Sequence, residues 1–137
     1  MGSFGRGLVA IALLLSLSGC ATYLGRAKRA YAQGRYLEVS EELGRHEEDL
    51  PYLSPVAQID YGLYRGLALV SLGDARGAHR WLAYASQVEK DNPGVMKDEQ
   101  HAALDQAFVQ LAQIARATPA PPPEPAPAPP PREPLPP

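Results

Sequence analysis

The sequence predicts an all-α fold of about five helices, and three observations carry that prediction. From Thr22 onward apolar residues recur at three- and four-residue steps, with no sustained alternation of period two. Glycine and proline interrupt that pattern at Gly34-Arg35, at residues 51–55, at Gly73-Asp74 and at Asp91-Asn92-Pro93-Gly94. The two ends of the 137-residue chain have a different composition: residues 1–19 are apolar and contain no acid, and residues 119–137 hold twelve of the fifteen prolines. The folding unit is therefore expected to be residues 20–118. A domain of that size buries roughly 60–70% of its unfolded surface and folds alone with modest stability.

The first helix is expected over residues 22–33, with Leu24, Ala27 and Tyr31 on one side. The second is expected over 36–50, with Leu37, Val39, Leu43 and Leu50 as its apolar positions, and is ended by Pro51. The third, over 56–72, is apolar around much of its girth, the pattern of a helix buried between neighbours. The fourth runs over 75–90 and carries Ala78, Trp81, Leu82, Ala85 and Val88. The fifth begins near Asp98, read as its N-cap, and places Leu104, Ala107, Phe108, Leu111, Ile114 and Ala115 on one stripe. Its other face, with Asp105, Gln106, Gln110 and Gln113, is polar.

The formal charge is −2, with acids and bases interspersed through the middle block. No concentrated basic patch is available to neutralise phosphates, so nucleic acid is not an expected partner.

Arg6 is the one charge in the first 25 residues, and the apolar run from Leu8 to Leu15 follows it. A positive start, a short apolar stretch and small residues at Ser16, Ser18 and Gly19 form the pattern of a cleaved export leader. Residues 8–17 would span only about 15 Å as a helix, against the roughly 30 Å of a bilayer core. The tetrapeptide Leu17-Ser18-Gly19-Cys20 resembles the lipobox of bacterial lipoproteins. That resemblance implies lipidation of Cys20, loss of residues 1–19, and attachment to a membrane through acyl chains (palmitate among them). Ala21, where aspartate would favour inner-membrane retention in Gram-negative lipoproteins, implies the periplasmic face of the outer membrane. Cys20 is the single cysteine, so no disulfide is expected and the domain must stand on packing.

Residues 59–93 resemble a tetratricopeptide repeat, a helix–turn–helix unit of about 34 residues. With Gly73-Asp74 as the turn, Gly66 takes the small position of the first helix. Ala78 and Ala85 take the two alanine positions of the second, with Leu82 at the large apolar site between them. Pro93 lies three residues late. Residues 22–50 resemble a weaker copy centred on Gly34-Arg35, with Ala27, Val39 and Leu43 in corresponding places and His46 departing from alanine. The two turns are 39 residues apart, the excess falling in residues 51–55. The resemblance implies two helix pairs with the fifth helix as a C-terminal cap. It also implies a ligand groove on the inner surface of each pair's first helix, which carries Lys28 and Tyr31 from the first copy and Asp60, Leu63, Tyr64 and Leu67 from the second. Packing roles for these tyrosines compete with that reading.

His46, His79 and His101 lack a second histidine at helical spacing. Carboxylates do lie within a turn of His46 (Glu42, Asp49) and His101 (Asp98, Asp105), but solvated helix faces explain them better than a metal site. No phosphate loop, nucleophile elbow or catalytic carboxylate pair is recognisable. The expectation is a non-enzymatic chain with no cofactor, no metal and no small-molecule substrate. Seven tyrosines and one tryptophan are more informative, since such side chains are enriched at protein interfaces.

Residues 119–137 favour extended polyproline II and reach roughly 60 Å at about 3.1 Å per residue. They read as a disordered tail, a spacer, or a ligand for an aromatic groove. Together these features predict a lipid-anchored interaction or assembly module of the bacterial cell envelope, with a protein partner. The alternative is a structural spacer whose proline-rich tail contacts or threads the cell wall.

Overall fold

A computed structural model describes residues 19–118, with side chains from Thr22 onward. The leader expected over residues 1–19 therefore lies outside the described residues but for Gly19, as do the Cys20 side chain and the proline-rich tail. Among the described residues all regular structure is helical: α1 (Gly19–Ala32), α2 (Tyr36–Gly44), a 3₁₀ turn (Glu47–Tyr52), α3 (Pro55–Ser71), α4 (Ala75–Asp91) and α5 (Asp98–Ala117). No helix among them is long and apolar enough to cross a membrane.

The two predicted glycine turns have the same construction. At the first, Gly34 adopts φ +72°, its N–H bonds the Tyr31 carbonyl at 2.9 Å and the Arg35 N–H bonds the Ala30 carbonyl at 2.9 Å. At the second, Gly73 adopts φ +80°, with Gly73 N–H to the Val70 carbonyl at 3.1 Å and Asp74 N–H to the Leu69 carbonyl at 3.0 Å. Both are Schellman caps, in which a left-handed residue lets two N–H groups return to the helix's last free carbonyls. Only the second turn also caps the helix that follows, because the Asp74 carboxylate accepts from the Gly77 N–H at 2.9 Å while Arg35 offers no acceptor.

Two boundaries differ from expectation. The second helix stops at Gly44 rather than 50, and the chain tightens into the 3₁₀ turn. Pro51 cannot donate to the Glu47 carbonyl, and its ring would collide with that group in an α-helix. The Leu43 carbonyl accepts from the His46 N–H at 3.0 Å, closing the helix with a tight turn, and also from the Tyr61 hydroxyl of α3. At the fifth helix Lys97, not Asp98, holds the N-cap position; its N–H is accepted by the Gln100 side chain at 3.0 Å. Asp98 and Glu99 then lie in the first turn, where negative charge favours the helix dipole. On the α5 stripe Leu104, Ala107 and Leu111 are buried, whereas Phe108 and Ile114 are half-buried and Ala115 is exposed. Phe108 lies edge-on to His79 at 5.9 Å. Leu37, expected to pack, is exposed.

Helix α3 is central and packs against each of the other four α-helices. Its closest partner is α4, and small residues permit the approach. A Cβ on Gly66 would lie 2.6 Å from Leu82 Cγ, and one on Gly62 would lie 2.9 Å from the Trp81 carbonyl oxygen. Across from them Ala78, Leu82 and Ala85 are fully buried, in the small–large–small order expected for this helix. Trp81 and Tyr61 continue the contact toward α2 and the 3₁₀ turn. Arg65 and Arg80 stack on Trp81 at 4.3 and 5.0 Å and both pair with Glu47, at 2.9 and 3.0 Å, which ties the turn down. Burial, opposed in part by Arg65, pushes the Tyr61 hydroxyl up to about 12, so it remains a donor to Leu43 at any working pH.

The connection from α4 to α5 is held by Glu89, whose carboxylate accepts from the N–H groups of Gly94 at 2.9 Å and Met96 at 2.6 Å. These bonds hold its carboxyl below the usual 4.5. A depressed carboxyl stabilises the fold above its unfolded value and loses that contribution as pH falls through the folded one. Glu89→Gln is therefore expected to lower the melting midpoint near pH 7. The gap between the two proteins should narrow once pH drops below about 4.5. A pH-independent gap would show that the charge is not what holds the loop.

Candidate functional site: a groove between α1, α3 and α5

The first helix of each pair and the fifth helix share one face of the domain, and between them lies a groove of about 440 Å³. All six residues predicted from the sequence line it: Lys28 and Tyr31 from α1, and Asp60, Leu63, Tyr64 and Leu67 from α3. On each helix the chosen positions fall three or four residues apart, so each set lies on one side of its helix.

Asp60 sits at the floor and joins the three walls. It is 9% exposed, its Oδ2 accepts from the Lys28 ammonium, and its Oδ1 accepts from Gln100 Nε2 at 2.8 Å. A carboxylate this far from water is tolerated because a cation and a carboxamide together satisfy it. The same contacts set the spacing of α1 and α5 across α3. Gln100 is committed at both ends, accepting from the Lys97 N–H and donating to Asp60, so the start of α5 is pinned to the groove floor.

Above this floor the wall is aromatic. Tyr31 and Tyr64 meet edge to face at 5.4 Å and 82°, Tyr36 leans on Tyr31 at 5.3 Å, and Lys28 lies 5.6 Å from the Tyr64 ring centre. Burial, and then the neighbouring Tyr36 and Tyr64 hydroxyls, push the Tyr31 phenol above 10.0, so it is a neutral hydrogen-bonding group in water. Leu63 is buried, and Leu67 and Tyr64 are half-buried, so an apolar strip on α3 lies beside the Asp60 floor in a groove whose other lining is largely polar.

The α5 side of the groove was missed. Lys97, Glu99, Gln100, Gln106 and Gln110 all line it; Gln106 and Gln110 are exposed, as the polar face of α5 predicts, but that face borders the groove. Other aromatic candidates are structural. Tyr23 is buried and stacks flat on His46 at 3.9 Å, Tyr61 and Trp81 are core, and only Tyr52 among the tyrosines is strongly exposed.

The histidines are placed by pairing. His46 Nδ1 contacts Asp49 at 3.0 Å, and His101 Nε2 faces Glu89 of α4 at 3.6 Å rather than Asp98 or Asp105. Among the described residues no group of three or more His, Cys, Asp or Glu is arranged to hold a metal ion. Compared with known proteins, the chain matches no family model, no curated protein and no solved structure.

Proposed function

We propose that this chain is a lipid-anchored, non-enzymatic interaction module of the bacterial cell envelope, built as two tetratricopeptide-like helix pairs capped by α5. The observation that carries the reading is the groove itself. Side chains chosen from a repeat resemblance, on two helices separated by more than twenty residues of sequence, line one cavity that combines leucines and tyrosines with charged and carboxamide groups. Concave clefts in which apolar and aromatic side chains meet placed polar groups are the default candidates for binding surfaces. The repeat arrangement is supported by the matched glycine caps at Gly34 and Gly73 and by the close approach at Gly66, Ala78, Leu82 and Ala85. His46, the departure from the repeat pattern, fills its place by stacking on Tyr23.

Anchoring rests on the Leu17-Ser18-Gly19-Cys20 lipobox. Cys20 lies in the first turn of α1, and the buried Tyr23 follows three residues later, about 4.5 Å along the helix axis. Lipid on Cys20 would therefore hold the domain directly against the bilayer, with the outer membrane's periplasmic face as the proposed location. Two or three acyl chains at about 0.8 kcal/mol per methylene make such attachment effectively permanent.

Cys20→Ser is expected to abolish incorporation of a fatty-acid probe and to leave an uncleaved or soluble product. Labelling that persists in the variant would remove the anchor from the reading. Partner binding is tested by a photo-crosslinking residue at Leu67 in the lipidated protein, in its own membrane. Capture of a defined envelope protein that is lost with Asp60→Ala supports the groove. Deleting residues 119–137 separates this reading from the wall-spacer alternative, which predicts that deletion alone abolishes function.

A further inference from the structure

We propose that the resting occupant of the groove is the chain's own proline-rich segment, residues 119–137, folded back along α5 in competition with the external partner. This rests on reading the groove as a peptide-binding surface, and it follows from a match between what the groove offers and what the segment lacks.

Twelve of those nineteen residues are proline and have no backbone N–H, so the segment presents a row of carbonyl acceptors with few donors. The groove offers donors to meet them. Its buried carboxylate, Asp60, is engaged on both oxygens, by Lys28 and by Gln100. Along the walls the Tyr31 and Tyr64 hydroxyls, Lys97 and the carboxamides of Gln106 and Gln110 can donate, with the Glu99 carboxylate beside them. Polyproline II segments dock in aromatic-lined grooves, and the Tyr31 and Tyr64 rings line this one.

Chain geometry favours the attached segment over a free one. Helix α5 ends at Ala117, and Gln110 lies only about 10 Å back along it. The groove's far end at Gln100 is about 25 Å back. Nineteen residues of polyproline II extend roughly 60 Å, enough to turn and cover that length with residues to spare. A segment tethered at the groove's edge acts at an effective concentration on the order of millimolar, so even weak contacts suffice.

The experiment places a photo-crosslinking residue at Gln106, which is exposed and outside the core, in the intact lipidated chain. The expected result is a crosslink within one copy, mapping to residues 119–137. In parallel, a synthetic peptide of residues 119–137 is titrated into a chain ending at Thr118, whose buried core between Tyr23 and Leu111 is complete. It should bind saturably, about tenfold more tightly than it binds the intact chain, where the tethered copy competes. Changing both Gln106 and Gln110 to Glu replaces donors by acceptors and should weaken that binding by roughly tenfold. A probe at Gln106 that captures envelope proteins equally with or without residues 119–137, and never the segment, overturns this inference and leaves the groove's partner role standing. A crosslink joining two copies overturns it as well. A probe that captures nothing, with a peptide that does not bind, overturns both.

Discussion

Trp81→Ala is expected to destabilise the domain by about 3–5 kcal/mol, the usual cost of removing a buried aromatic. That is a large part of the roughly 5–15 kcal/mol that holds a small domain folded. The indole is 4% exposed and has neighbours on every side: the Tyr61 ring at 5.3 Å, Tyr84 at 5.8 Å, and the guanidiniums of Arg65 and Arg80 on its faces. Its loss does more than open a cavity. Arg65 Nε is buried with no hydrogen-bond partner, and stacking on the indole is what offsets its lost hydration. Without the ring, Arg65 and Arg80 lose the platform that aims both at Glu47, and the 3₁₀ turn loosens. Thermal melts followed by circular dichroism check this, with about 4–8 °C expected per kcal/mol at this size. Trp81→Phe, which keeps a ring but not its full area, should recover a substantial part of the loss. A midpoint within about 5 °C of wild type for the alanine variant would mean that the α3–α4 packing described above is wrong.

Leu82→Ala should cost about 2–5 kcal/mol, and its interaction with Gly66 is the sharper result. Leu82 is fully buried on α4, and a Cβ at Gly66 would stand 2.6 and 2.7 Å from its Cγ and Cδ2. Gly66→Ala alone is therefore overpacked, costing about 1–3 kcal/mol, an effect moderated by the roughly 0.5–1 kcal/mol that alanine gains over glycine in a helix. In the double variant the new methyl enters the space that the leucine vacates, and the methyl's worst contacts no longer exist. The pair should thus be less destabilised than the sum of the singles, with a coupling of about 0.5–3 kcal/mol. Denaturant melts of the four proteins give the number. Strict additivity would show that Gly66 and Leu82 do not meet, and the repeat register across α3 and α4 would fail with them.

Much of this arrangement was legible because it is written in local chemistry. Gly34 and Gly73 mark the turns because only glycine adopts positive φ without steric cost, so each stands where a left-handed residue closes a helix. The girth of apolar residues from Ile59 to Val70 marked α3 as central, since a helix apolar on several sides has to be covered on several sides. Where the reading failed, a partner distant in sequence had decided the outcome. Residues 45–50 carry helix-forming residues, yet α2 ends at Gly44: Pro51 disfavours an α-helical approach to it, and the Leu43 carbonyl is shared between the His46 N–H and the Tyr61 hydroxyl, eighteen residues away. Phe108 fits the apolar stripe of α5 but is only half-covered, because periodicity reports which side a residue lies on and not how far the neighbouring helix extends.

The sequence by itself determined the helical class, the two glycine-capped pairs, the small residues where α3 and α4 meet, and the six α1 and α3 side chains that share a face. Each follows from the conformational freedom or volume of single residues, or from helical spacing within one segment. Only the tertiary structure decided that α5 closes the same groove, that Gln100 and Lys28 converge on Asp60 from 40 and 32 residues away, and that Glu47 is clamped between Arg65 and Arg80. Those contacts depend on how far each helix rotates and slides against the next. That rotation is set by the summed packing of all five helices, in which a buried carboxylate must find its cation wherever the chain has carried it.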